Sequence, residues 1–303
     1  MIVPKSASKL TKSGIAYTVI GQGPALILVN GLGRSASHWV GFDELLADRF
    51  TVITYDPRGI GESRAPLNWN LTVDLLAQDV RDIIQAENLT EVFVYGFSLG
   101  GMIALTLALR EPDIYKKIVC VNSSVGGLPR LRISPKAIAT MAKGGIADRI
   151  SSYQHLLQKG FLKKLIKENN PILSRITKSD MHLDLSYLLL GHELGLPIRR
   201  STVDRWRIIE RQHGRPIVQT IKQLGAAIRF SNPLSLRSIR VPTLMICGGN
   251  DVFVPNLNSK ILANLIPGSI CRLVPDGGHE LHVEKPLMLK TMLIDFYLNH
   301  PKN

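Results

Sequence analysis

Short runs of apolar residues alternate along the chain with longer stretches in which apolar residues recur every three or four positions. Residues 15–20, 25–29, 50–55, 91–95 and 117–121 have the length and content of half-buried or buried strands. Residues 71–87 set Leu75, Leu76, Val80, Ile83 and Ile84 at helical spacing, with Asn70 or Thr72 available as N-cap. Residues 99–110 are small or apolar nearly all round, the mark of a buried helix. Strands that alternate with helices predict the α/β class: a mostly parallel sheet, flanked by helices, with right-handed crossovers.

The rhythm changes from about residue 125 to residue 237, where the patterns are helical and no strand is evident. It returns with strands at 243–247 and 270–274 and helices at 256–265 and 284–298. More than a hundred residues is far beyond loop length. Residues 125–237 are therefore expected to form a helical lid inserted into a core made of residues 1–124 and 238–303.

Composition narrows the class further. Of 303 residues, 45% are hydrophobic and 20% charged, so the chain can bury a large core and is not a disordered type. Three cysteines (Cys120, Cys247 and Cys271), widely spaced, exclude a disulfide scaffold and the common zinc motifs and suit a reducing compartment. No signal-peptide pattern opens the chain, and no apolar run reaches the ~18 residues of a membrane span, so a cytoplasmic location is expected. The net charge of +13 is unevenly placed. Residues 126–240 hold 21 Lys/Arg against 7 Asp/Glu, whereas the rest of the chain holds 16 against 17. The basic excess thus belongs to the lid.

Candidate chemistry comes from Gly96-Phe97-Ser98-Leu99-Gly100-Gly101, a G-x-S-x-G segment between a predicted strand and a predicted buried helix. A turn this tight needs small residues two before and two after the serine, and it lifts the hydroxyl clear of the sheet edge. A serine hydroxyl needs a base, and the base needs an orienting acid. Asp251 follows the strand at 243–247, and His279 follows the strand at 270–274 through Gly277-Gly278. Ser98, Asp251 and His279 can therefore meet at the C-terminal edge of the sheet, in the chain order this elbow requires. Taken singly, Asp251 reads as a turn-capping aspartate and His279 as a loop histidine; order and placement favour the triad. Asn122-Ser123-Ser124, after the strand at 117–121, offers no acid. His38 reads as structural and His282 as a packing residue; His155, His182, His192 and His213 lack a comparable carboxylate.

Acyl transfer also needs donors for an oxyanion. The backbone N–H of Leu99 is placed for it, and the N–H of Leu32, in Asn30-Gly31-Leu32-Gly33, is the second candidate. The same loop carries a rival reading. Gly31-Leu32-Gly33-Arg34-Ser35-Ala36 fits a dinucleotide fingerprint, with Asp56 at the ribose position. Bulky Asn30 and Trp39, and the turn-rich run from Asp56 to Ser63, count against it.

With these motifs in hand the chain resembles the α/β-hydrolase superfamily, over residues 1–124 and 238–303. The elbow around Ser98, the loop at Asn30-Gly31-Leu32-Gly33, the segment Asp56-Pro57-Arg58-Gly59-Ile60-Gly61-Glu62-Ser63, Gly249-Asn250-Asp251 and Gly277-Gly278-His279 carry the resemblance. Most relatives have His-Gly where this chain has Asn30-Gly31; the Asn-Gly-Leu-Gly loop is similar to the 3-oxoadipate enol-lactonases. The resemblance implies a serine hydrolase acting on a small-molecule ester or lactone, with no metal or organic cofactor. Carbon–carbon bond hydrolysis, acyl transfer, and ligand binding with a vestigial triad are the alternatives on the same fold. In the lid, residues 156–167 set Leu157, Phe161, Leu162, Leu165 and Ile166 against Lys159, Lys163, Lys164 and Lys167. That pattern reads first as a lid helix over the site, and second as a weak contact with an anionic membrane. Arg199, Arg200, Arg205, Arg207, Arg211 and Arg215 surround Trp206 and offer a surface for an acidic ligand; no nucleic-acid motif accompanies them.

Overall fold

A computed structural model describes residues 7–126, 186–187, 189–191, 194–214, 216–230 and 234–299. Eight strands form one sheet: β1 (Lys9–Leu10), β2 (Ala16–Ile20), β3 (Ala25–Val29), β4 (Thr51–Tyr55), β5 (Val92–Phe97), β6 (Tyr115–Val121), β7 (Thr243–Gly248) and β8 (Ile270–Val274). Their spatial order is β1-β2-β4-β3-β5-β6-β7-β8. β2 runs antiparallel to β1 and β4, and every other pair is parallel. The predicted strands fall where the apolar runs lie; the two-residue β1 has no such run and went unpredicted.

Side chains alternate across the strands and supply two cores. Ile27, Val29, Ile53, Ile118, Cys120 and Met245 face one layer, which includes α2 (Val73–Ala86), α3 (Leu99–Arg110) and α6 (Leu257–Leu265). Leu26, Leu28, Val52, Val119, Val121, Leu244 and Ile246 face the other, against α1 (Phe42–Leu46) and α7 (Pro286–Ile294). Thr72 caps α2, its hydroxyl accepting the Leu75 N–H at 3.1 Å. α3 buries Leu99 through Ala108 without a break, as its composition requires.

One boundary differs from the sequence reading. The helix expected at 284–298 starts at Pro286 and runs on, its last turn a π-turn, to Asn299. A single turn, Leu281–Glu284, ends at Lys285, and α7 starts at Pro286. Proline disfavours helical backbone in the residue before it, and Lys285 is extended in φ at −133°. Between β6 and β7 the described residues form two long helices, α4 (Leu196–His213) and α5 (Ile217–Arg229), and no strand. The amphipathic segment at 156–167, His155, His182, His192 and Arg215 lie outside the described residues.

Candidate active site

Ser98 joins β5 to α3 and holds φ 55°, ψ −114°, a conformation that L-residues rarely adopt. Close packing enforces it. A Cβ on Gly96 would collide with the Gly100 carbonyl, and one on Gly100 with the Val29 carbonyl. The Ser98 N–H donates to Val121 O at 2.8 Å, and Ser98 O accepts from the Ser123 hydroxyl at 2.8 Å. The turn is thus pinned to β6 on both sides of the serine. Ser98 is 8% exposed and lines a pocket with Leu32, Leu99, Asn122, Phe253 and Val254, joined by Leu224 and Ala227 of α5.

Asp251 and His279 are brought together. Asp251 Oδ2 lies 2.7 Å from His279 Nδ1. Asp251 Oδ1 accepts the N–H groups of Phe253 and Val254, each at 2.8 Å. The aspartate therefore serves both readings at once: one oxygen closes a turn, the other faces the imidazole. Both side chains are buried. The His279 ring sits between Phe97, at 5.0 Å, and Phe253, at 4.9 Å. Phe253 also lines the pocket that Ser98 opens onto. Among the described residues no hydrogen bond joins the Ser98 hydroxyl to the His279 ring. Apo sites often hold this contact long and tighten it on substrate.

Leu32 and Leu99 share the pocket with Ser98. As the first residue of α3, Leu99 has an N–H with no intrahelical acceptor. Gly31 packs against the elbow: a Cβ there would stand 3.2 Å from Ser98 Cβ and 2.9 Å from the Phe97 ring. Asn30 braces the loop from within, donating from Nδ2 to Ser35 O at 2.8 Å. The fingerprint reading of this loop finds no support at Asp56. Its carboxylate accepts Ala36 N–H and Glu62 N–H, each at 2.8 Å, and is spent on holding two loops together.

Sequence reasoning missed Asn122. Its Nδ2 donates to the carbonyls of Gly278 and His279, at 3.0 and 2.6 Å, and its Oδ1 accepts Gly248 N–H at 2.8 Å. One side chain thus ties β7 to the loop that delivers His279. The signal in the sequence is an amide directly after a strand, at the sheet's C-terminal edge. Glu284 was missed too; Oε2 accepts the N–H groups of Gly278 and Gly191, each at 2.9 Å, while burial pushes its carboxyl up in pKa.

Other candidates are structural. His38 is buried, its Nδ1 accepting Ser35 N–H at 3.1 Å. His282 lies among Trp39, Phe42 and Phe97, and burial lowers its pKa to about 4 against the opposing pull of Glu280. The arginine surface needs correction at Arg199. That side chain is 1% exposed and donates to the carbonyls of Ser186 and Gly191, so it is unavailable to a ligand. Trp206 is buried as well, with the Arg34 guanidinium 4.6 Å from its ring. Among the described residues no cluster of three His, Cys, Asp or Glu is placed to hold a metal, and no helix is long and apolar enough to cross a membrane.

A strained serine elbow, with an Asp–His pair at the same edge of a mostly parallel sheet, defines the alpha/beta hydrolase class. Residues 24–286 match that family, and the chain belongs to it. Among its relatives is a protein of Caulobacter segnis provisionally named carbamate hydrolase RutD, 30% identical over 292 residues, which are 94% of this chain and 97% of that one. Another, from Bacillus subtilis, is provisionally named 2-succinyl-6-hydroxy-2,4-cyclohexadiene-1-carboxylate synthase; it is 27% identical, covering 93% of this chain and 95% of its own. The meta-cleavage product hydrolase from Pseudomonas fluorescens superposes with a TM-score of 0.72 at 18% identity, covering 97% of this chain and 98% of that one, and shares the fold.

Proposed function

We propose that the chain is a serine hydrolase that cleaves a small carboxylic ester or lactone through an acyl-enzyme. Ser98 Oγ attacks the carbonyl carbon while His279 Nε2 takes its proton. Asp251, facing Nδ1, fixes the tautomer and stabilises the imidazolium. The N–H groups of Leu32 and Leu99 receive the oxyanion. Collapse of the tetrahedral intermediate expels the alkoxide, which takes the proton from His279; water, deprotonated by the same imidazole, then releases the acid and restores Ser98. In this reading residues 125–237 are the lid, and α4 and α5 are its two long described helices.

One observation carries the proposal: a 2.7 Å Asp251–His279 pair at the same sheet edge as a serine held at positive φ. Structural strain of that kind persists where the surroundings over-determine it, and it clusters at reacting groups. Ser98→Ala should lower turnover of p-nitrophenyl butyrate by on the order of 10⁴-fold, with the melting temperature little changed. Unchanged turnover in that variant refutes the reading. The relatives favour a second substrate class on the same machinery, a carbamate, since RutD of Caulobacter segnis bears that name. A panel of esters, lactones and carbamates, compared by kcat/KM, separates the two.

A further inference from the structure

The loop that carries Leu32 is gripped by the lid. Gly33 N–H donates to Gln223 Oε1 of α5 at 2.8 Å, and Gln223 is 1% exposed. One helical turn away, Thr220 lies so close that a Cβ on Gly33 would meet its hydroxyl at 2.5 Å; Gly33 itself holds φ 69°. The next residue, Arg34, pairs with buried Glu280, the neighbour of His279, and stacks on Trp206 of α4. Two helices of the lid therefore hold this loop, and α5 also lines the Ser98 pocket through Leu224 and Ala227.

The consequence lies in the peptide planes. Leu32 N–H belongs to the Gly31–Leu32 plane, whose one backbone brace among the described residues is a long turn bond, Arg34 N–H to Gly31 O at 3.4 Å. The following plane, Leu32–Gly33, is the one Gln223 holds. With that plane fixed, the Leu32 backbone cannot shift as a whole away from the pocket without breaking a buried hydrogen bond, and a flip of the Gly31–Leu32 plane alone must break the Arg34 N–H to Gly31 O bond. Such an unmatched buried donor is costly. We propose that Gln223 is a positioning residue that aims the Leu32 N–H at the oxyanion, so that the lid completes the catalytic site as well as covering it. This rests on the acyl-enzyme reading above.

The test uses the full chain and p-nitrophenyl butyrate. Gln223→Met keeps the length of the side chain and removes the acceptor. It should lower kcat by roughly 10- to 100-fold, less than outright loss of an oxyanion donor, with KM within about twofold. Affinity for an alkyl trifluoromethyl ketone, whose adduct is tetrahedral, should fall by a similar factor, while inhibition by butyrate stays unchanged. Gln223→Glu retains an acceptor oxygen and should recover most of kcat. A folded Gln223→Met protein with kcat and ketone affinity within twofold of the parent overturns the proposal, as does a loss confined to KM. If Gln223→Met fails to fold, Gly33→Ala probes the contact from the loop side. It should lower kcat, and adding Thr220→Ala should restore part of it; no restoration overturns the proposal. Ser98→Ala is measured alongside. If it abolishes turnover while Gln223→Met does not, only the role of Gln223 falls; if it leaves turnover intact, the hydrolase reading falls first.

Discussion

Asn122→Ala gives the sharpest measure of how the His279 loop is held. The amide makes three hydrogen bonds to backbone groups of β7 and the 278–279 loop, and the residue is 1% exposed. Truncation leaves two carbonyls and one N–H buried and unmatched, at ~1–2 kcal/mol each, or about 3–6 kcal/mol together. Asn122 also holds φ 48°, which asparagine tolerates better than alanine, adding ~1 kcal/mol. In a chain of this size ~1 kcal/mol lowers the melting temperature by about 2 °C, so Asn122→Ala should melt roughly 8–14 °C lower. Asn122→Asp separates the bonds from the backbone preference. Its carboxyl keeps an acceptor for Gly248 N–H but sets an oxygen against the carbonyls of Gly278 and His279, which demand a proton between them. The folded pKa of that carboxyl is thereby raised above its unfolded value. Stability relative to the parent should be greatest in acid and fall as pH rises through the folded pKa. Melting curves between pH 4 and 8 read both effects. An alanine variant melting within about 3 °C of the parent, or an aspartate variant whose deficit does not grow with pH, would refute the reasoning.

Other outcomes follow from the same geometry. Gly100→Ala drives a Cβ into the Val29 carbonyl, backbone against backbone, and should cost about 3 kcal/mol or more, read as loss of soluble protein or a melting temperature several degrees lower; near-parental melting would show that the elbow is looser than described. His282, buried among aromatic rings, has its pKa lowered to about 4, so the unfolded chain binds its proton first as pH falls. Its contribution is fully present above about pH 6.5 and is lost down to about pH 4, up to ~3 kcal/mol. His282→Gln should flatten that part of the stability curve, and an unaltered curve speaks against the assignment.

The core was legible because its signals are local and redundant. Each central strand is an apolar run, α3 is apolar all round, and the residue types of the Gly96–Gly100 elbow have no cheap substitute at that turn. The pairing of Asp251 with His279 was legible from position alone, since both residues follow a recognisable strand. What escaped are contacts made by side chains on backbone atoms far along the chain. Asn122 meets Gly278 across 156 residues and Gln223 meets Gly33 across 190, and an amide at either position has no periodicity or spacing to announce it. Arg199 was misread for a related reason. Charge density in a sequence suggests a surface, whereas this guanidinium is buried and satisfies the carbonyls of Ser186 and Gly191.

These contacts divide the site into two mechanical halves. Below the pocket, Ser98 is set by close backbone packing against β3 and β6, through Gly96, Gly100 and Ser123. That half has no room to adjust, so changes there act on folding before they act on rate. Above it, the loops carrying Leu32 and His279 hang from the segment between β6 and β7: Gly33 N–H on Gln223, and the N–H groups of His279 and Glu280 on Leu189 O, at 2.8 and 3.0 Å. Single hydrogen bonds can be lost without collapse of the sheet. Substitutions in that segment should therefore alter the alignment of the Leu32 and His279 loops while leaving the core intact, and the two halves can be told apart by whether melting temperature or kcat moves first.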